Sequence, residues 1–150
     1  MSRPNEIVAH LIDGRVIKGR SHDFSPSRPA FHVTPSGGGA AIQVRLNQLK
    51  AVFFVRDLAG DPVRMDLRGF LRAPTENSFG VKIAVLFPDG ELLCGYSLAY
   101  SPRREGFFIF PADPGTNNLS IYVVVAAVLE IREREGAEEL ARKVLDSRVA

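Results

Sequence analysis

The 150-residue chain contains no tryptophan and a single cysteine. One thiol, Cys94, forms no internal disulfide and no cysteine-based zinc site, and no Cys-His pattern around it marks a nucleophile. Long apolar runs are missing too. The longest uncharged one, Ile121 to Leu129, falls far short of the roughly 20 residues a membrane span needs. The opening Met1-Ser2-Arg3-Pro4-Asn5-Glu6 lacks the apolar core of a signal peptide, so a cytoplasmic protein without membrane association is expected. A net charge of +2 is too small to argue for nucleic acid. There is no Gly-x-Gly-x-x-Gly, Walker A, Gly-x-Ser-x-Gly or His-Glu-x-x-His, and no carboxylate pair stands beside a nucleophile. The expectation is a protein that is not an enzyme and uses no cofactor.

What is present is the composition of a packed domain, 45% hydrophobic and 24% charged. Charge is uneven along the chain. Residues 1–75 hold 11 Lys+Arg against 6 Asp+Glu and residues 76–150 hold 8 against 11, giving +5 and −3. Arginine supplies 15 of the 19 basic residues, which suits paired contacts to anions and equally reflects a GC-rich genome.

The strongest signal is an internal repeat. A shift of 76 residues aligns Ile7-to-Arg56 with Ile83-to-Arg132 and matches 14 of 50 positions, where random pairing would give about three. Among the matches are Asp13/Asp89, Gly14/Gly90, Gly19/Gly95, Pro26/Pro102, Arg28/Arg104, Ala51/Ala127, Val52/Val128 and Arg56/Arg132. Each repeat reads as five short strands, in the first about 6–12, 15–24, 30–34, 41–48 and 50–56, because β-branched and aromatic runs are cut by turn residues. Asp13-Gly14 and Asp89-Gly90 predict two-residue type I′ hairpins. Gly19 and Gly95 sit mid-strand, where a sharp bend or a close backbone approach demands them.

The predicted fold is therefore mainly β: two tandem five-stranded small barrels, 1–57 and 81–132, joined by a linker, 58–80, and followed by a C-terminal helix, 133–150. In that tail Ala137, Leu140, Ala141, Val144 and Leu145 recur at helical spacing among charged residues.

Alternation places Ile7, Ala9, Leu11 and Ile83, Val85, Phe87 in the barrel interiors. The outer face of repeat two then gathers Leu86, Leu92, Tyr96, Leu98 and Phe108 into one apolar patch, too large to leave in water. Its expected cover is the first barrel, the tail helix or a second copy of the chain; an external ligand is the alternative. A buried, unpaired aspartate at Leu98 would cost on the order of 2–4 kcal/mol.

The Ser-Pro-x-Arg loops, Ser25-Pro26-Ser27-Arg28 and Ser101-Pro102-Arg103-Arg104, recur at matching positions. Serine and proline initiate turns. The arginines serve either local ion pairs, such as Arg28 with Asp23, or a partner or anion. His10, His22 and His32 align with apolar residues in repeat two and lack a carboxylate to complete a metal shell, so no metal is expected. Arg68-Gly69-Phe70-Leu71-Arg72 fits the Arg-x-x-x-Arg half of a PilZ cyclic-di-GMP motif, but Asn77-Ser78-Phe79-Gly80 compresses the other half.

Leu11-Ile12-Asp13-Gly14-Arg15-Val16-Ile17-Lys18-Gly19-Arg20 resembles the start of Sm-like small barrels. The strings Leu49 to Asp57, Gly95 to Pro102 and Gly106 to Asp113 resemble an uncharacterised bacterial domain family often found beside PilZ domains. The resemblance covers about residues 5–132 and implies a signalling or motility context. Two functions are carried forward. One is a non-catalytic adaptor that binds a protein partner through an apolar face or an exposed edge strand, with a homo-oligomer as a further form. The other is a ligand-sensing module that binds a nucleotide of cyclic-di-GMP type, or nucleic acid, through loop arginines.

Overall fold

A computed structural model describes residues 5–58, 70, 76–77, 80–98, 100–101, 103–112 and 116–149. In chain order the strands are β1 (Asn5–Leu11), β2 (Val16–Ser21), β3 (Ala30–Pro35), β4 (Ile42–Arg45), β5 (Leu49–Val55), β6 (Glu76–Asn77), β7 (Gly80–Leu86), β8 (Leu92–Ser97), β9 (Gly106–Pro111), β10 (Asn118–Val124) and β11 (Glu130–Glu133). One helix follows, α1 (Glu135–Val149), and short 3-10 turns stand at Leu46–Gln48 and Val125–Ala127. The strands form one antiparallel sheet in the order β11-β7-β8-β9-β10-β5-β1-β2-β3-β4, with β6 alongside β7.

The fold is thus mainly β with a C-terminal helix, but not two closed barrels. The sheet is open, and β4 and β11 are its ends. Closure fails because β5 of the first half pairs with β10 of the second, Val52 opposite Tyr122 and Phe53 opposite Ile121, so one half's sheet continues into the other's.

Both halves keep the same strand order. β2 and β8 begin at Val16 and Leu92, β3 and β9 at Ala30 and Gly106, so both pairs keep the offset of the sequence repeat. The constant offset ends there. His10 faces Ala51, whereas its counterpart Leu86 faces Glu130; Ile7 faces Phe54, whereas Ile83 faces Glu133. The last strands therefore stand three positions further apart than the repeat, and the matches Ala51/Ala127, Val52/Val128 and Arg56/Arg132 do not share a place in the fold. β10 is seven residues long where β4 has four, and the added length reaches β5.

From Ala51 to Val55 and from Ile121 to Val124, β5 and β10 read as unbroken apolar runs because both their faces are covered. Val52, Tyr122 and Val124 join Ile7, Phe31 and Val33 in one core, while Ala51, Phe53, Ile121 and Val123 join Ile83, Val85 and Ile109 in a second core.

The Asp-Gly turns differ from expectation. Arg134 is the one non-glycine residue of positive φ among those described, so Asp13 and Asp89 do not enter the left-handed region that type I′ requires. Each hairpin instead has a three-residue loop. Leu11 N donates to Arg15 O and Gly14 N to Leu11 O, and Phe87 N donates to Glu91 O and Gly90 N to Phe87 O. Only the glycines take positive φ, 94° and 92°. The aspartate accepts the backbone N–H two residues on, from Arg15 or Glu91, and so supplies the turn contact by itself. The mid-strand glycines do mark close approaches: a Cβ on Gly19 would collide with the carbonyl of Thr34, and one on Gly95 with that of Phe110.

Arg134, at φ 55°, turns the chain from β11 into α1. The helix lays Ala137, Leu140 and Ala141 on Ala84 and Phe70. Glu135 and Glu138 in its first turn and Arg148 in its last complement the helix dipole. Most of the expected linker lies outside the described residues. Phe70 is an exception, and it is buried beneath the helix.

Candidate functional site

A concavity lined by described residues lies where the halves meet. The 3-10 turn after β4 contributes Leu46 and Asn47, the end of β10 contributes Tyr122 and Val124, and the following 3-10 turn adds Val125 and Ala126. Arg104 and Glu105, from the loop between β8 and β9, complete a cavity of about 420 Å³. Its walls are mostly aliphatic, with one guanidinium, one carboxylate and one phenol among the polar groups. The Tyr122 ring packs against Phe24 and Phe108 at centroid distances of 5.4 and 5.1 Å, and Gly106 leaves room for it, since a Cβ there would meet the phenol. Burial, and then the Glu105 carboxylate, push the Tyr122 hydroxyl above the ordinary tyrosine range. It is therefore a hydrogen donor throughout neutral pH.

The two Ser-Pro loops are built alike. Arg28 N donates to Ser25 O at 3.2 Å, and Arg104 N donates to Ser101 O at 3.0 Å. Ser25 Oγ accepts from Ser27 N, and Ser101 Oγ accepts from Arg103 N. The serines are thus explained as turn formers. Pro26 is exposed, and Pro102 lies outside the described residues. The ion pair of Arg28 with Asp23 does not form. Asp23 instead takes the His32 ring at 2.7 Å and the His32 N–H at 2.8 Å. Burial works to raise the Asp23 carboxyl, but these bonds and one from Ser21 outweigh it and hold it below the usual range. Arg28, Arg103 and Arg104 are exposed, and their side chains have no ion-pair partner among the described residues. Only Arg104 lines the cavity.

The single apolar patch expected on repeat two is divided four ways. Helix α1 covers Leu86 and Leu92. Tyr96 is buried at 3% exposure. Phe108 turns to the aromatic cluster with Phe24, Phe54 and Tyr122. Leu98 lies beyond the last residue of β8 and stays 73% exposed, so the burial cost assigned to it does not apply.

A polar lock holds the halves together. Lys50 Nζ donates to Asp89 at 2.7 Å and to Glu91, and sits over the Phe87 ring. Burial works against the Lys50 charge, but the two carboxylates outweigh it and raise its pKa, while the Lys50 hydrogen bond leads in lowering that of Asp89. The histidines are scattered among other tasks: His10 stacks on Phe53 at 4.5 Å and His32 binds Asp23. No cluster of three or more metal-binding side chains occurs among the described residues. Arg68, Gly69, Leu71, Arg72, Ser78 and Phe79 of the PilZ-like segment, and Asp113, Pro114 and Gly115, lie outside those residues. No helix among them is long and apolar enough to cross a membrane.

A family model, described as a family of unknown function (DUF6982), matches residues 3–133. The chain belongs to DUF6982. No curated protein and no solved structure matches it. The DUF6982 match spans every strand from β1 to β11 and stops before α1.

Sequence reasoning named Arg104 of this DUF6982 cavity but missed Leu46, Asn47, Glu105, Tyr122 and Val124 to Ala126. Most of them come from two turns far apart in the chain, Leu46–Gln48 and Val125–Ala127, that meet only because β10 pairs with β5. No sequence signal marked them, because the three-residue difference between β4 and β10 shows only once the strands are paired.

Proposed function

We propose that this DUF6982 chain is a non-catalytic adaptor whose protein partner adds an extended segment to the free edge of β4. The observation that carries this reading is the contrast between the sheet's two ends. Among the described residues β4 pairs with β3 alone, and Ile42 on it is 40% exposed. β11 instead carries Glu130, Arg132 and Glu133, the kind of charged edge that resists strand addition. An open strand edge with an apolar side chain is what an added strand uses for hydrogen bonds and register. With this reading goes the context the resemblance implies, a cytoplasmic bacterial protein working in signalling or motility beside PilZ domains. Its halves would be Sm-like small barrels merged into one sheet, an origin that the shared strand order supports.

The test is affinity capture from the native cell with the wild type and with Ile42→Lys, because an edge lysine is a common natural block to strand pairing. Capture by the wild type alone, together with slowed amide exchange at 42–45 in the complex, is the expected result. Equal capture by both proteins, or exchange unchanged at 42–45, counts against it.

A second reading, nucleotide sensing, draws support from Arg28, Arg103 and Arg104, whose side chains have no ion-pair partner among the described residues. A thermal shift with cyclic-di-GMP that disappears in the Arg28→Ala, Arg104→Ala double variant would favour it over the edge.

A further inference from the structure

Tyr122 is 3% exposed, and its hydroxyl has no hydrogen-bond partner among the described residues. Among those residues no fully buried polar side-chain atom is left unpaired, so this oxygen must retain an opening, and the cavity at the meeting of the halves is the space it borders. Through that opening the phenol donates to water or to a ligand acceptor that displaces the water. A second unmatched donor stands at the same cavity, the Arg104 guanidinium, which has no ion-pair partner among the described residues. The aliphatic walls are Leu46, Val124, Val125 and Ala126.

We propose that this cavity binds a small amphipathic monocarboxylate, with the apolar body against the aliphatic wall and the carboxylate accepting from Tyr122 Oη and Arg104. The volume of about 420 Å³ is within the ordinary range for small-ligand sites. The mixture of aliphatic wall and a few convergent donors is the usual composition of such sites. Glu105 sets the charge of the head group. Glu105 and Arg104 both line the cavity, so the formal charges of its lining residues balance. With one positive and one negative lining residue, a bound monoanion leaves a single excess charge to be desolvated, and a dianion such as a phosphate monoester leaves two, at a steeper cost. The ring of Tyr122 is held by Phe24 and Phe108, so its hydroxyl is oriented before the ligand arrives. The proposal does not depend on a partner strand at β4, although Leu46 of the cavity directly follows that strand.

The test uses decanoate as the probe, with decanol and decyl phosphate as controls, followed by calorimetry and by amide chemical shifts on the whole chain. Saturable decanoate binding is expected, with shifts confined to 104–106, 122–126 and 46–47. Decanol and decyl phosphate should bind at least tenfold more weakly. Tyr122→Phe, which keeps the ring, and Arg104→Ala, at an exposed position, should each weaken decanoate about tenfold. Ala126→Trp, which fills the cavity from an exposed residue, should abolish binding. The proposal is overturned by no decanoate binding to the folded wild type, by decanol or decyl phosphate binding as tightly, or by undiminished binding to Ala126→Trp.

Discussion

β5 and β11 hold the same place in their halves, each the fifth strand and each paired to the first, yet they are made of opposite materials. β5 presents Ala51, Val52, Phe53 and Phe54; at the equivalent positions β11 has Glu130, Ile131, Arg132 and Glu133. The difference is what lies on the far side. β5 has β10 beside it and a core on each face, so its side chains meet protein on both. β11 ends the sheet, and its outer edge carries charge. One strand plan therefore serves as a seam in one half and as a rim in the other, and side-chain chemistry alone distinguishes them.

The sharpest way to break this comparison is truncation at an equivalent pair. Phe53→Ala removes a 6% exposed ring from the second core and from its contact with His10. It should cost about 3–5 kcal/mol, lowering Tm by about 10 °C in a chain of this size. Arg132→Ala, at the position of β11 that matches Phe53 and ion-paired among the described residues with Glu130 alone, should stay within about 0.5 kcal/mol. Denaturant unfolding of both variants checks it. Equal losses would mean that β11 is as deeply integrated as β5.

A smaller effect belongs to the lock between the halves. Lys50 is 12% exposed in its side chain, but its partner Asp89 is 60% exposed, so solvent screens part of the attraction. Lys50→Met keeps the stem over Phe87 and should cost about 1–2 kcal/mol at neutral pH. The sign with pH follows from the two shifts. The folded Asp89 pKa is depressed, so its contribution is present above its ordinary 3.8 and fades as pH falls through the lower folded value. The folded Lys50 pKa is raised, so its contribution is present below 10.5 and fades as pH rises through the higher folded value. The gap between wild type and variant should therefore be widest in the middle range and narrow toward both extremes. The absence of a gap at neutral pH would show that the Lys50 stem, which methionine retains, and not its charge joins the halves.

The same comparison shows what the sequence could disclose. Local periodicity marked the strands, the turn positions and the helix, because Ile7/Ala9/Leu11 and Ala137/Leu140/Ala141 each carry their own burial pattern. Repetition disclosed the common plan. What it concealed was the join: a repeat of sequence implies equal units, and equal units suggested two closed barrels. The seam depends on β10 pairing with β5, a contact with no local signature beyond two apolar runs that read equally well as interior strands. The cavity inherits that blindness, since its walls assemble only after the seam has formed.

The smallest effect concerns Leu98, where the two halves also differ, since repeat one has the exposed His22 at the matching position. Counted with Leu86, Leu92, Tyr96 and Phe108, Leu98 looked like part of a covered face. The helix does not reach it, however, and the side chain is 73% exposed. A residue already in water gives up little apolar burial when replaced, and an aspartate there remains hydrated. Leu98→Asp should therefore shift stability by no more than about 0.5 kcal/mol. In the same measurement Leu92→Asp, beneath the helix, should be several times more costly. A loss at Leu98 as large as the one at Leu92, with the solution mass unchanged, would mean that another part of the chain covers it. A loss of that size accompanied by a fall in mass would mean that a second copy does.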